Sequence, residues 1–186
     1  MRIIAGKHRG RTIKTGRGPG YRPATGKVRE AVFSILDSLG VSWPGVNVLD
    51  LFAGSGSLGL EALSRGAAGV VFVEQDPGAA RILRENLQSL GISMDHADVV
   101  QQNVFIFLKR PARPFELVFV DPPYGQDILE AVLPLVLNRK WLRKSGFLCV
   151  EVEGGLSVDA DRYDELSLLK DRNFGQTRIL LWIRKS

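Results

Sequence analysis

The sequence predicts one α/β domain built on a mostly parallel sheet, and three observations lead to this prediction. The chain has 186 residues, the length of a single ordinary domain. Short apolar runs that suit fully buried strands alternate with segments whose apolar residues recur at helical spacing. Near the end of the chain, two strand-like segments are separated by a turn rather than by a helix, which predicts an antiparallel hairpin added to the sheet.

Residues 1–40 are predicted to form a small basic extension that belongs to the same domain as the body, residues 41–186. Arg2–Ile4 and Thr12–Lys14 are short strand-like segments that can pair across a glycine-containing turn. The side chain of Thr25 is suited to begin a helix, and the apolar residues that follow recur at helical spacing as far as Gly40. The extension is therefore predicted to contain a β-hairpin and one helix.

The body is predicted to alternate strands and helices, with glycines marking several helix ends. The predicted elements are strand Val46–Leu51, helix Ser57–Arg65, strand Gly69–Glu74, helix Pro77–Leu90, strand Asp98–Gln101, helix Asn103–Lys109, strand Phe115–Asp121, helix Asp127–Leu137 and strand Phe147–Val152. Asp164–Leu169 and Gln176–Arg184 form the predicted final hairpin, with its turn at Asn173–Gly175. Continuous apolar strands joined by helices predict a sheet that is covered on both faces.

Positive charge is concentrated at the start of the chain. The protein has 25 basic and 20 acidic residues, which gives a formal net charge of +5. Nine of the basic residues but only two of the acidic residues fall within the first 40 positions. This asymmetry favours a polyanionic partner such as nucleic acid over a membrane surface.

The composition argues against several classes of protein. No apolar run approaches the roughly 20 residues of a transmembrane helix, and the first residues lack the apolar stretch of a signal peptide. Cys149 is the only cysteine, and His8 and His96 are the only histidines. We therefore expect no disulfide framework, no metal site and no membrane partner, and we expect a cytoplasmic location.

A glycine-rich loop follows the first strand of the body. Gly54, Gly56 and Gly59 form a G-x-G-x-x-G pattern between a predicted strand and a predicted helix. Glycines there let the backbone turn tightly and approach a ligand, and the helix start offers free N–H groups. Glu74 ends the next strand, where its carboxylate could accept hydrogen bonds from two ribose hydroxyls. The pattern predicts a cofactor that contains a nucleoside.

Asp50 favours one of two such cofactors. It lies four residues before the first glycine, beside the expected ligand cradle. A buried anion would repel the pyrophosphate of NAD, whereas it would attract the ammonium group of S-adenosylmethionine. An NAD-binding oxidoreductase, inferred from Gly54, Gly56 and Gly59 alone, stays open as an alternative.

A second motif, Asp121-Pro122-Pro123-Tyr124, follows a later predicted strand. We expect this strand to neighbour the first strand of the body, so that both motifs face one crevice at the strand ends. The exocyclic amine of adenine or guanine is a poor nucleophile because its lone pair is conjugated into the ring. The Asp121 carboxylate and the Pro122 carbonyl can accept its N–H bonds, while Tyr124 can stack on the base. The motif predicts amine methylation that depends mainly on positioning and electrostatics.

Together these motifs resemble the class I S-adenosylmethionine-dependent amino-methyltransferases. Further segments narrow the likeness to the RsmD family, bacterial methyltransferases that act on guanine N2 of 16S ribosomal RNA: Arg2–Arg11, Arg22–Thr25, Val28–Phe33, Gly59–Gly66 and Gly175–Thr177. The resemblance covers nearly the whole chain, with Ala24 and Gly26 departing from the residues that are usual in the family. It implies a Rossmann-like class I methyltransferase sheet with S-adenosylmethionine as cofactor.

The resemblance also implies which residues form each part of the site. The implied cofactor contacts are Asp50, Phe52, Ala53, Gly54, Ser55, Gly56 and Glu74, with Asn103 at the adenine edge. The implied catalytic residues at the target amine and base are Asp121, Pro122, Pro123 and Tyr124. The basic residues expected to contact substrate RNA are Arg9, Arg11, Lys14, Arg22, Lys27 and Arg29.

The sequence thus leads to one principal hypothesis, methyl transfer from S-adenosylmethionine to guanine N2 of 16S ribosomal RNA. The partner would be that RNA or an assembling small ribosomal subunit, and the enzyme would act as a monomer without a metal. Adenine N6 in nucleic acid and glutamine in protein are alternative amine targets, because their methyltransferases share the Asp-Pro-Pro-Tyr motif. A non-catalytic RNA-binding module is a further alternative.

Overall fold

A computed structural model of the protein describes residues 1–16, 26–123, 128–160 and 162–186. The helices are α1 (Gly26–Ser38), α2 (Ser57–Arg65), α3 (Pro77–Leu90), α4 (Val104–Phe107) and α5 (Ile128–Asn138). The strands are β1 (Asn47–Leu51), β2 (Gly69–Glu74), β3 (Ala97–Gln101), β4 (Phe115–Val120), β5 (Leu142–Glu153), β6 (Leu166–Phe174) and β7 (Thr177–Arg184). Thr25 and Asp127, which begin two predicted helices, lie outside the described residues.

Seven strands form one sheet in the order β3-β2-β1-β4-β5-β7-β6. Strands β1 to β5 pair in parallel, whereas β7 is antiparallel to both β5 and β6. The predicted fold class, a mostly parallel sheet with a C-terminal antiparallel hairpin, is confirmed. Strand β4 pairs with β1 as expected, so the segments that follow these two strands emerge side by side.

Alternating residues of the strands belong to two separate hydrophobic cores, one on each face of the sheet. In β1, Val48 belongs to the core that also contains residues of α1, α2 and α3. Leu49, the next residue, belongs to the core on the opposite face, beneath α4 and α5. Because every residue of β1 after Asn47 is buried, the strand lacks the polar–apolar alternation of a half-exposed strand.

The N-terminal segment packs into the first of these cores. Arg2 and Thr12 form an isolated antiparallel bridge, and Ile13 donates a backbone hydrogen bond to the Met1 carbonyl. Ile3 and Ile13 are buried with Phe33 of α1 in the same cluster as residues of β1 and β2. The predicted pairing of Arg2–Ile4 with Thr12–Lys14 is therefore present as a very short hairpin.

Two strands differ most from the predicted elements: β6 ends at Phe174 rather than at Leu169, and β5 begins at Leu142 rather than at Phe147. The polar run Arg143–Gly146 hides the start of this strand in the sequence. Phe115 pairs with Leu142, but Leu117 pairs with Phe147, so an irregularity in β5 accommodates the extra residues. The final hairpin also turns at Gly175 and Gln176, slightly later than predicted.

Candidate active site at the carboxyl ends of the parallel strands

The glycine-rich loop connects the end of β1 to the start of α2. Gly54 and Gly56 have positive φ angles of 56° and 84°, and Phe52 also has a positive φ, of 61°. A Cβ atom on Gly56 would lie 2.3 Å from a methyl carbon of Leu83, so this position has no room for a larger side chain. Ala53 donates a backbone hydrogen bond to Val73 of β2, which holds the loop against the neighbouring strand.

Asp50 lies beneath this loop and is 2% exposed. Its Oδ2 accepts a hydrogen bond from the backbone N–H of Gly59, 3.0 Å away, in the first turn of α2. Burial raises the pKa of Asp50 to about 7, the negative charge of Glu74 acts in the same direction, and the Gly59 hydrogen bond opposes both. The structure therefore places a titratable carboxyl group directly under the glycine loop.

This carboxyl group should make the stability of the ligand-free protein depend on pH. In the unfolded chain Asp50 titrates near 3.8, whereas the folded protein retains its proton up to about pH 7. Between these values the folded state binds more protons, so the contribution to stability is present at low pH and is lost as the pH rises towards 7. We expect Asp50→Asn to remove this loss, which thermal unfolding measured between about pH 4 and pH 8 would detect. An identical pH dependence of thermal stability in the wild-type protein and in Asp50→Asn would contradict a raised pKa of Asp50.

Glu74, at the end of β2, is bonded to the glycine loop. Its Oε2 accepts from the Gly54 N–H at 2.8 Å, and its Oε1 accepts from the Asp76 N–H at 2.7 Å. The Asp76 side chain in turn caps α3, accepting from the N–H of Ala79. Glu74 is half-buried, so the same carboxylate that fixes the loop also borders the crevice.

Asn103 begins α4 and lies beside the end of β2. Its side-chain oxygen accepts from the Phe105 N–H at 2.9 Å, and its amide nitrogen donates to Gln75 Oε1 at 2.9 Å. Gln75 directly follows Glu74, so Asn103 is linked to the edge of the crevice. Its amide is held by both contacts on the side where an adenine ring was predicted.

Asp121, Pro122 and Pro123 follow β4 at the same end of the sheet. Asp121 is half-buried, Pro122 is buried and Pro123 is exposed, while Tyr124 lies outside the described residues. Removal from water raises the pKa of Asp121 well above its ordinary range, and the negative charges of Glu151 and Asp50 raise it further. Because Leu51 pairs with Val120, the two sequence motifs emerge side by side from β1 and β4, and Asp50 lies close enough to affect the pKa of Asp121.

Glu151 was not predicted from the sequence as part of this site. It lies in β5 next to the end of β4 and is 5% exposed. In the sequence it is one acid in a stretch that alternates Val and Glu, and that pattern resembles an ordinary half-exposed strand. Only the sheet order, which places β5 beside β4, brings it next to Asp121.

The predicted RNA-contacting residues are divided among several places. Arg9, Arg11, Lys14 and Lys27 are exposed, whereas Arg22 lies outside the described residues. The backbone N–H of Lys7 and the guanidinium of Arg11 donate to the carbonyls of Ser64 and Ser89, the penultimate residues of α2 and α3. The tip of the N-terminal hairpin therefore lies near the helix ends that are farther from the glycine loop.

Arg29 requires a correction, because its side chain does not face solvent. It is 2% exposed, donates to the Arg2 carbonyl at 2.6 Å and contacts the Met1 sulfur. Burial lowers the pKa of Arg29, and the nearby charge of Glu61 partly compensates. Arg29 therefore joins α1 to the N-terminal hairpin, and as positioned here it cannot contact RNA phosphates.

Buried polar groups of α2 hold the hairpin in place. Glu61, with no exposed surface, accepts from the N–H groups of Ile4 and Ala5 at 2.7 and 3.0 Å and from Arg65 Nε at 3.0 Å. A Cβ atom on Gly6 would lie 1.8 Å from the Ser64 carbonyl oxygen, so only glycine allows the hairpin to approach α2 this closely. Both Glu61 and Ser64 belong to the segment Gly59–Gly66 that carries the family resemblance.

A single buried amide joins the hairpin to the glycine loop. Asn86 of α3 is 1% exposed and accepts from the Lys14 N–H at 2.8 Å. Its amide nitrogen donates to the Lys14 carbonyl at 2.9 Å and to the Ser55 carbonyl at 3.1 Å. Asn86 thus links the backbone of Lys14, a predicted RNA-contacting residue, to the glycine-rich loop.

The described ranges contain no group of three or more His, Cys, Asp or Glu side chains arranged to hold a metal ion. Among their helices, none has the length and apolar character needed to cross a bilayer.

Comparison with known proteins identifies the family. The family described as "Conserved hypothetical protein 95" matches residues 1–183. "Ribosomal RNA small subunit methyltransferase D" of Escherichia coli strain K12 is 38% identical over 188 residues, covering 100% of this chain and 91% of the relative. The chain belongs to the RsmD family. The predicted family and the predicted enzyme class, a methyltransferase, are confirmed.

Two further comparisons agree with membership in the RsmD family. The Haemophilus influenzae protein named "Ribosomal RNA small subunit methyltransferase D" is 40% identical over 180 residues, covering 94% of this chain and 89% of its own length. The solved structure titled "Putative methyltransferase yhhF from Escherichia coli" superposes with a TM-score of 0.85 at 38% identity, covering 100% of this chain and 98% of that one. Since these matches extend over the whole chain, the basic N-terminal segment is part of the likeness.

Proposed function

We propose that this enzyme transfers a methyl group from S-adenosylmethionine to the exocyclic N2 amine of a guanine in 16S ribosomal RNA. One observation carries the proposal. The glycine loop that follows Asp50 and the Asp121-Pro122 segment emerge side by side from β1 and β4, at the carboxyl ends of the parallel strands. The names of the relatives, small-subunit ribosomal RNA methyltransferases, support the RNA target.

The residues of the crevice fit the chemical groups of S-adenosylmethionine. The buried carboxyl group of Asp50 suits an ammonium group, and the Glu74 carboxylate suits ribose hydroxyls. The Asn103 amide suits the edge of an adenine. When bound, the cofactor supplies an electrophilic methyl group on a sulfonium. Phe52, Ala53, Gly54, Ser55 and Gly56 would then form the cradle around it.

Asp121 and Pro122 would orient the target amine. The carboxylate and the carbonyl accept its two N–H bonds, which turns the nitrogen lone pair away from the guanine ring and towards the methyl group. The backbone of this segment is rigid, because Pro122 and Pro123 both have a fixed φ angle. We include Tyr124 in the proposed site as the ring that stacks on the base.

The exposed basic residues of the N-terminal segment would bind the RNA backbone. We propose residues 1–40 as a substrate-binding extension of the same domain, and residues 41–186 as the methyltransferase body. Arg9, Arg11, Lys14 and Lys27 have exposed side chains that suit phosphate contacts, and Arg22 belongs to the same basic segment. The proposed partner is 16S ribosomal RNA or an assembling small subunit, bound by a monomer in the cytoplasm.

The decisive experiment supplies methyl-labelled S-adenosylmethionine and small ribosomal subunits from a strain that lacks its own enzyme of this family. We expect label in N2-methylguanosine after digestion to nucleosides. Label in N6-methyladenosine, or on glutamine in ribosomal protein, would overturn the proposed target. RNA binding without any transferred label would instead favour the non-catalytic module. Calorimetry with S-adenosylhomocysteine and with NAD distinguishes the two cofactors.

The proposal that residues 1–40 bind RNA, while residues 41–186 bind the cofactor, gives a separate prediction. Replacing Arg9, Arg11 and Lys14 together with glutamine should weaken RNA binding and lower its salt-dependence slope by about 2–3, because up to three phosphate contacts are lost. Affinity for S-adenosylhomocysteine should change little, because Lys14 contacts Asn86 through its backbone rather than its side chain. Binding is measured as a function of salt concentration.

The matched control replaces three exposed cations of the body, Lys109, Arg139 and Lys144, with glutamine. This variant has the same net charge as the hairpin variant. If both variants lost the same RNA affinity, total charge rather than the N-terminal segment would govern binding. An equal loss of cofactor affinity in the hairpin variant would contradict the separation of the two functions.

A further inference from the structure

Glu151 is a buried acid beside the proposed catalytic motif. Val120 of β4 pairs with Val150 of β5, so Glu151 lies next to the point where β4 leads into Asp121. The pairs Asp50–Phe119 and Phe119–Cys149 are in register across β1, β4 and β5. Registered residues of neighbouring strands share a face, and side chains two residues apart point to the same side. Glu151 therefore faces the same side of the sheet as Asp50.

Asp121 directly follows Val120, the partner of Val150, so Asp121 and Glu151 lie side by side where β4 ends, and the electrostatics agree with this position. The charge of Glu151 raises the pKa of Asp121, and it does so more than the charge of Asp50. The pKa of the Cys149 thiol is raised by burial and by the charges of both Glu151 and Asp121. Cys149 is itself buried on this face of the sheet, so both acids lie close to that side.

The burial of Glu151 is difficult to explain by packing alone. Val150 and Val152, its neighbours in β5, are fully or almost fully buried, and Glu151 is only 5% exposed. An apolar residue there would avoid the cost of removing a carboxylate from water. The position instead adds a negative charge to a site that already contains Asp50 and Asp121.

The other charged groups that the structure describes near this face have hydrogen-bond partners of their own. Arg29 of α1 donates to the Arg2 carbonyl, and the negative charge of Glu61 acts to raise its pKa. Asp50 is bonded to the N–H of Gly59, and Glu74 to the N–H groups of Gly54 and Asp76. Among the described residues, the groups with an electrostatic effect on Asp121 are thus Glu151 from β5 and Asp50 from β1.

We propose that Glu151 is a positioning residue that equips Asp121 to accept the proton released by the target amine. The inference rests on the proposed methyl transfer. In that reaction the nitrogen lone pair forms the new C–N bond, and the electrons of the breaking C–S bond pass to sulfur. The nitrogen then carries a positive charge, and it loses one of its protons to the ionised carboxylate of Asp121. The negative charge of Glu151 strengthens the affinity of Asp121 for that proton.

The test compares Glu151→Gln with the wild-type enzyme in the pH dependence of kcat on small ribosomal subunits. Removing the charge should move the acid limb of the profile down by about one pH unit, because Asp121 then ionises more readily. At high pH kcat should fall by about tenfold, because Asp121 is a weaker base. Affinity for S-adenosylhomocysteine should stay within about twofold of wild type, since none of the proposed cofactor contacts is altered.

Two variants serve as controls. Glu153→Gln makes the same chemical change at an exposed acid two residues further along β5, and it should leave the profile unchanged. Glu151→Asp keeps the charge, so it should keep the acid limb near the wild-type position. A profile that moves with neither Glu151 variant, or that moves equally in Glu153→Gln, would overturn the inference.

A second readout separates this inference from the proposed function. The carboxyl carbon of Asp121 can be titrated by NMR in the ligand-free protein, without turnover. A lower midpoint in Glu151→Gln than in wild type supports the pairing even if guanine N2 is not the target. An unchanged midpoint would overturn the pairing even if methyl transfer to guanine is demonstrated.

Discussion

Replacing Asp121 with alanine is expected to reduce methyl transfer by about 10²–10³-fold, because the variant loses the main acceptor for the target amine. Asp121 lies at the end of β4, whereas the described hydrogen bonds that hold the glycine loop run to Glu74, Val73 and Asn86. Affinity for S-adenosylhomocysteine should therefore remain within about twofold of wild type. Single-turnover transfer and calorimetry measure the two quantities on the same protein.

Asp121→Asn and Asp98→Ala complete this test. The asparagine variant retains an oxygen acceptor without the charge, so it should retain more activity than the alanine variant. Asp98 is an exposed acid of β3, far from β4 in the sheet order, and its replacement should leave transfer unchanged. Full activity in Asp121→Ala would remove Asp121 from the catalytic site.

Replacing Glu61 with alanine is expected to lower the free energy of unfolding by about 3 kcal/mol, the largest stability effect among the changes considered. Glu61 has no exposed surface, and its loss would leave the N–H groups of Ile4 and Ala5 without their acceptor and Arg65 without one partner. Urea denaturation measures the loss. Since the hairpin would be released, RNA affinity should fall as well, while cofactor affinity should fall less.

The matched control is Glu85→Ala, on α3. Glu85 pairs with Lys14 at 2.8 Å, but Lys14 is well exposed and Glu85 is partly exposed, so the pair should contribute little to stability. If the two variants lost similar stability, the buried contacts of Glu61 would not be what holds the hairpin. A Glu61→Ala protein with normal RNA affinity would show that RNA binding does not need a docked hairpin.

The fold could be predicted because several of its strands appear in the sequence as continuous apolar runs. Strands β1, β2 and β4 are buried on both faces, so their patterns are nearly uniform and their bounds are well marked. The start of β5 was missed because Arg143–Ser145 is polar and exposed, and exposed strand segments do not carry a buried pattern. Cys149 and the three tryptophans are all buried packing residues.

The site was predictable only where its residues are adjacent in the sequence. The glycine loop and the Asp121-Pro122-Pro123 segment are short contiguous motifs, so the sequence displays them directly. Glu151, Glu61 and Asn86 act through partners that are distant along the chain, and each looks like an ordinary polar residue of a strand or helix. Arg29 was assigned to RNA for the same reason, since charge alone does not reveal that its side chain is buried.

The docking of the N-terminal hairpin has a consequence for how the chain folds during its own synthesis. Ile4 and Ala5 bond to Glu61 across 57 and 56 residues, and Lys14 bonds to Asn86 across 72. The hairpin must therefore wait until both α2 and α3 have been made. Such distant contacts form slowly, because the intervening chain must be ordered first. The basic segment would remain undocked until Asn86 has emerged from the ribosome, and a nascent chain stalled before that point should be cleaved readily within this segment.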